Sequence, residues 1–272
     1  MRKAFVFIVT MVIWSVCTPA MADKYYNQLL KSKDGELKYK AALEYYEKGD
    51  YKKTIRLLED ISTQYKGTEK SENILYLLST SYFKRKDYIA SAHYYQTYVN
   101  TYLRGKNYPE CLFMLAYSEY LESPEPELDQ RPTMKAIEHF QLFLEQFPYD
   151  EHAKEAKQMQ TEMYDKLAER EYQNAKLYYN LGNYMGNNYL SCIITAQNAL
   201  NDYPYTGYRE DLSMLVLRAR YSMAKESVEV KKIDRYRDTE DEYYAFKNEF
   251  PESKYMKEAD KILRETQKAL KK

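Results

Sequence analysis

Apolar positions along the chain recur at two spacings. The short one, three to four residues, is the period of an α-helix, and the long one brings back a whole pattern after 37 residues. Tyr45-Tyr46 opens one copy of aromatic-aromatic-x-x-x-Asp-Tyr and Tyr82-Phe83 opens the next. In register, Asp50 falls on Asp87, Tyr51 on Tyr88, Thr54 on Ser91 and Leu58 on Tyr95. Cys192 takes the phase of Thr54 and Ser91, a position that suits a small side chain where two helices meet. A fixed repeat of this length, with small residues at helix contacts and aromatics filling the gaps, is the signature of tetratricopeptide-type helix pairs.

The pattern predicts an all-α chain, a tetratricopeptide-type α-solenoid of about five helix pairs. Asp34 is placed to cap a helix running to Lys48, Gly49 allows a left-handed stop, and a second helix follows over 51–65. Helices over 69–86 and 88–102 form the second pair, and 109–122 with 132–147 the third. The run 151–181 contains neither Gly nor Pro and reads as one long helix linking an N-terminal half, 23–148, to a C-terminal half, 149–272. Helices over 190–201, 210–225 and 234–249 follow, with a charged cap over 253–270. The turn holding Gly182-Asn183-Tyr184 is echoed by Gly186-Asn187-Asn188-Tyr189, an apparent insertion.

The first 22 residues form a separate object. Met1-Arg2-Lys3 is a basic start and 4–16 an uncharged apolar stretch, too short to span a bilayer core of roughly 30 Å and suited to a secretion signal. Cleavage falls either before Cys17, which would then carry lipid, or after Ala22 in the small-x-small site Ala20-Met21-Ala22.

Composition narrows the function. Charged residues make up 30% of the chain with 7 glycines and 8 prolines, which favours long helices. Lys plus Arg and Asp plus Glu stand at 41 each, leaving no global field to attract nucleic acid. No phosphate-binding glycine loop, nucleophile elbow, His-Glu-x-x-His or Cys-x-x-Cys occurs, so neither catalysis nor a cofactor nor a metal is expected. His93, His139 and His152 read as ordinary hydrogen-bonded or solvated side chains, and Cys111 and Cys192, amid apolar neighbours, as packing residues.

Two features exceed what a plain repeat needs. Tyrosine occurs 32 times against 9 Phe and 1 Trp. Tyr94, Tyr95, Tyr98 and Tyr102 spread around one helix, and some of these rings are expected to line a groove suited to an extended peptide. The segment SPEPELDQR, 123–131, replaces a tight turn with a proline-interrupted acidic loop, and its Glu125, Glu127 and Asp129 are expected to form a partner surface.

Several strings carry a family resemblance: YYNQLLKSKDGELKYKAALEYYEKGDY (25–51), KGTEKSENILYLLSTSYF (66–83), SPEPELDQRPTMKAIEHFQLFLEQFP (123–148), NAKLYYNLGNY (174–184) and YYAFKNEFPESKYMKEA (243–259). Together with the leader they resemble the BamD family of outer-membrane β-barrel assembly lipoproteins, in the form found in Bacteroidetes-like bacteria. Leu128-Asp129-Gln130 within the loop is the most specific part of the match. The resemblance implies a solenoid anchored through lipid on Cys17 to the periplasmic face of the outer membrane. Its expected partners are the POTRA domains of BamA, other barrel-assembly subunits and unfolded outer-membrane proteins. On that basis the basic stretch 207–237, and Arg218 and Arg220 in it, is expected to dock an acidic BamA domain. The residues around Cys17 depart from the usual lipidation signal, and the doubled turn 182–189 departs from the family pattern. A generic periplasmic tetratricopeptide scaffold for envelope organisation or cell division shares the fold but not the BamA association. An envelope glycan-binding protein or enzyme would need a deep polar pocket.

Overall fold

The computed structural model describes residues 19–271. These residues form twelve α-helices and no strand, an all-α tetratricopeptide-type fold in which consecutive helices pack in pairs. None of the described helices is long and apolar enough to cross a membrane. The chain divides into two compact units at Lys86/Asp87.

The first unit contains α1 (Pro19–Lys31), α2 (Gly35–Glu47), α3 (Tyr51–Ser62) and α4 (Glu69–Lys84). Asp34 caps α2 as expected, one carboxylate oxygen accepting the amides of Glu36 and Leu37 at 3.0 Å each. Gly49 stops it with φ +75°, a conformation that glycine alone adopts without steric cost. Asp50 then accepts the Lys53 amide at 3.2 Å and opens α3. Ala41 and Ala42 lie in the core with Ile55, Leu57, Leu58, Ile61, Ile74 and Leu78. α1 is not announced by the periodicity, because it starts inside the expected leader. It buries Leu29, and Lys38 of α2, only 5% exposed, ties it to α3 by bonding Leu30 O at 3.3 Å and the Asp60 carboxylate.

The second unit contains α5 (Tyr88–Thr101), α6 (Tyr108–Glu122), α7 (Arg131–Gln146), α8 (Ala153–Leu181), α9 (Asn188–Asp202), α10 (Arg209–Lys225), α11 (Glu229–Glu249) and α12 (Met256–Leu270). Each helix packs on the next, and α6 also meets α8, α8 meets α10, and α10 meets α12, the contacts of stacked helix pairs. The long helix is present and 29 residues long, and it lies wholly within this unit. Asp87 caps α5 through the Ala90 amide at 3.2 Å, and Asn187 caps α9 through the Leu190 amide at 3.3 Å. The repeat-phase residues Thr54, Ser91 and Cys192 are all fully buried, as their shared small size requires. α11 begins at Glu229, five residues before the expected 234, because its first turn is charged and gives no apolar period. α12 begins at Met256, three after the expected 253, since Ser253 and Tyr255 are taken up by a turn whose amides bond back to Phe250 and Ser253.

Gly182 ends α8 at φ +54°, and a Cβ there would sit 2.9 Å from the Tyr189 hydroxyl. The doubled turn therefore needs its first glycine on two grounds. Met185 also takes a left-handed φ of 53° and is 91% exposed.

Candidate functional site

The acidic loop is built as a frame. Gln130, the residue just before α7, is 1% exposed and turns inward, so that its amide nitrogen donates to Glu125 O at 2.7 Å and Leu128 O at 3.2 Å. Its amide oxygen accepts the Thr133 hydroxyl at 2.6 Å. Lys166 of α8 reaches the other end, donating to the Ser123 hydroxyl at 2.8 Å and Ser123 O at 3.3 Å. Burial holds the Lys166 ammonium below the usual lysine range, with Glu125 and Glu169 opposing the shift. Pinned at both ends, the loop turns Glu125, Glu127 and Asp129 to solvent with Leu128, which is 58% exposed. Arg131 donates to Asp129 at 2.6 Å and lowers the pKa of that carboxyl, so the loop carries its own counter-charge on one of its three acids.

Beside the loop, a cleft of about 500 Å³ runs over α5, α6 and the start of α7, lined among others by Ile89, Glu119, Glu122 and Lys135. The His139 ring sits 2.6 Å from Glu119 at its edge, with side-chain exposures of 13% and 8%. Burial first, then the charges of Asp87 and Glu119, raise the Glu122 pKa. Among the described residues no three His, Cys, Asp or Glu side chains converge on a point where a metal ion could be held. Cys111 and Cys192 are free and buried, and burial pushes the Cys192 thiol up to about 12.

The four tyrosines expected to line a groove separate into two pairs. Tyr95 and Tyr98 are fully buried, which corrects the groove assignment for both. The reason lies in the repeat register, since Tyr95 occupies the phase of Leu58, itself fully buried. Tyr98 is further held by accepting the Asn107 amide at 3.3 Å on its hydroxyl. Tyr94 and Tyr102 are half-buried, Tyr94 beside the His93 ring at 5.4 Å between centroids and Tyr102 against Tyr98 at 5.4 Å. Of the four, this second pair is the one not fully buried.

Arg218 and Arg220, expected as docking charges, both pair with carboxylates of this chain. Arg218 places two parallel bonds on Glu258 of α12, at 2.7 and 2.6 Å, with its guanidinium 5.0 Å from the centre of the Tyr255 ring. Arg220 donates to Glu242 of α11 at 2.7 Å and lies 3.9 Å from Asp238. Both side chains bridge α10 to a neighbouring helix. Lys232 with Glu229 and Arg237 with Asp234 are pairs within α11. Cys17 lies outside the described residues.

The tyrosine excess has a structural use that composition did not disclose. Tyr82 bonds Glu59, Tyr120 bonds Glu162, Tyr189 bonds Glu226 and Tyr243 bonds Asp260, at 2.6, 2.6, 3.0 and 2.7 Å. Tyr221 likewise bonds Glu265, and Tyr255 bonds Asp211. Each hydroxyl finds a carboxylate on another helix or, for Glu226, at the end of one. Several partners lie 37 to 44 residues apart, one repeat along, and that interval is the signal that could have revealed them.

Comparison with known proteins places this geometry. Residues 32–187, more than half the chain, match the family described as YfiO, outer membrane lipoprotein. A protein of Aquifex aeolicus (strain VF5), named provisionally as outer membrane protein assembly factor BamD, is 30% identical over 151 residues. That alignment covers 53% of this chain and 48% of the relative, so the chain spans about half the length of the protein it matches. The framed loop and all of α8 fall inside the matched family region, and the chain belongs to the YfiO (BamD) family of outer membrane lipoproteins.

Proposed function

We propose that this chain is a non-catalytic scaffold of the machinery that assembles β-barrel proteins into the outer membrane. The observation that carries the reading is the family match over 32–187, which takes in the whole framed loop. In this reading the chain is tethered through an acylated Cys17, docks on the POTRA domains of BamA and meets unfolded barrel precursors. Its work is positional. Helix pairs hold surfaces at fixed separations, and an insertion pinned by Gln130 and Lys166 presents Glu125, Glu127 and Leu128 with little ordering cost left for binding. Tyr94 and Tyr102 supply rings that accept an apolar side chain and hydroxyls that suit an exposed backbone.

Affinity purification of the tagged chain from solubilised envelope membranes tests the proposal. Recovery of BamA with the chain is expected. Recovery of envelope-organising or division proteins without BamA would replace it with the generic scaffold reading.

A further inference from the structure

One cleft plays no part in the surfaces described above. It encloses about 520 Å³ between α8 and the turn from α9 to α10, and Tyr164, Asp165, Asp202, Tyr203 and Tyr205 line it. The Tyr164 and Tyr203 rings stand 6.3 Å apart at 48°, while Tyr205 is 96% exposed and leaves a whole aromatic ring in water at the rim.

The turn that carries Tyr205 is fixed by the cleft's own carboxylate. Asp165 Oδ1 accepts the Thr206 hydroxyl at 2.8 Å and the Gly207 amide at 3.0 Å. No hydrogen bond engages Oδ2 among the described residues, and neither Asp165 nor Asp202 has an ion-pair partner there. Lys157 also lines the cleft, but its ammonium bonds Gln160 at 3.3 Å, and Gln160 in turn bonds Ile137 O and Gln141 of α7. The lining thus combines three aromatic faces with two carboxylates and one cation drawn toward its far side.

A ligand matched to this lining needs a flat or slender apolar stem, a positive charge attracted by aromatic faces, and donors for a carboxylate. A guanidinium meets all three demands, because it stacks on tyrosine and forks its N–H groups onto carboxylate oxygens. A neutral sugar would stack on the rings and donate hydroxyls to the carboxylates, but it brings no charge to balance them. We propose that this cleft binds an arginine side chain presented by a partner polypeptide. The proposal stands independently of the barrel-assembly reading.

The test is a resonance titration of the isotope-labelled full chain with N-acetyl-arginine amide, its uncharged isostere N-acetyl-citrulline amide, and N-acetylglucosamine. The arginine probe should shift amides in 161–165 and 202–207, and bind at least about fivefold more tightly than citrulline. Asp202→Asn and Tyr205→Ala alter exposed positions outside the Asp165 anchor, so the rest of the spectrum should hold while each weakens arginine binding at least about threefold. Equal binding of arginine and citrulline, a response to N-acetylglucosamine alone, or arginine shifts indifferent to both variants would overturn the assignment.

Discussion

Arg218 of α10 and Glu258 of α12 meet fork to fork, 40 residues apart in the chain, with both bonds under 2.8 Å. The pair spans the two helices that stack across a repeat boundary, so it fixes the cap helix to the last helix pair. Its side chains are 25% and 45% exposed, and water therefore screens part of the attraction. A double-mutant cycle with Arg218→Ala and Glu258→Ala should give a coupling of about 1 kcal/mol in urea unfolding. The Arg218 bond lowers the Glu258 pKa from its ordinary 4.5. A depressed carboxyl contributes stability above the unfolded value, so the coupling should be intact at neutral pH and fade as pH falls below 4.5 through the folded value. Zero coupling at neutral pH would return Arg218 to the list of free surface charges.

Alkali should act in the opposite sense on the tyrosines. Tyr120 is raised to about 12 chiefly by its bond to Glu162, and Tyr208 and Tyr243 to about 12 chiefly by burial. In the unfolded chain such phenols ionise near 10. Their contribution is fully present below that pH and is lost as pH rises toward 12. Phenolate absorbance followed beside far-ultraviolet circular dichroism should therefore show a fraction of the tyrosines ionising only as helix is lost. A titration complete near 10 with helix intact would contradict the hydroxyl–carboxylate bonds of Tyr120 and Tyr243.

Residues that answer a local backbone demand were legible in the sequence. Asp34, Asp50 and Asp87 cap helices, Gly49 supplies a left-handed stop, and Thr54, Ser91 and Cys192 share one small, buried phase. Pairings between repeats were not legible, because Arg218 with Glu258, or Tyr221 with Glu265, depend on the offset at which one helix pair stacks on the next. The four tyrosines of α5 show both cases. The arc they span suggested a groove, yet the register with Leu58 already placed Tyr95 in the core. The cleft of Tyr164, Tyr203 and Tyr205 was hidden for a third reason, since it joins a helix to a turn some forty residues later.

The loop offers a test that separates its frame from its charges. Gln130→Ala removes three buried or part-buried hydrogen bonds and should cost about 1–3 kcal/mol, with faster exchange of the amides of Glu125, Glu127, Leu128 and Asp129. Replacing Glu125, Glu127 and Asp129 together with serine leaves that frame in place and should leave helicity unchanged. If the acids meet a partner, both variants weaken recovery of the assembly complex from membranes. Full recovery with the triple variant would mean that the carboxylates serve only solvation.

Lipidation has its own readout. Cleavage before Cys17 leaves Thr18 alone between the acylated residue and α1, whereas cleavage after Ala22 removes the first four residues of that helix. Mass spectrometry of the mature N-terminus should find acylated Cys17, and Cys17→Ala should release the protein from washed membranes unless partners retain it. An unmodified terminus at Asp23 would exclude the tether.

The proposed capture of substrate can be tested by a comparison within α5. Tyr95 and Tyr98 are core, so Tyr95→Ala or Tyr98→Ala should cost about 3–5 kcal/mol and lower the melting temperature whatever the binding outcome. Tyr94 and Tyr102 are only half-buried, and truncating either should cost less, because part of each ring already faces water. A barrel precursor ends in an extended strand with alternating aromatic side chains, which needs apolar contact beside unpaired backbone groups. Tyr94→Ala and Tyr102→Ala should therefore weaken binding of a C-terminal strand peptide while the protein stays folded. Tyr94→Phe and Tyr102→Phe divide the effect further: retained affinity assigns it to the ring, and lost affinity to the hydroxyl. If the alanine variants fold and bind the peptide like the unaltered chain, α5 has no part in capture and its tyrosines serve packing alone.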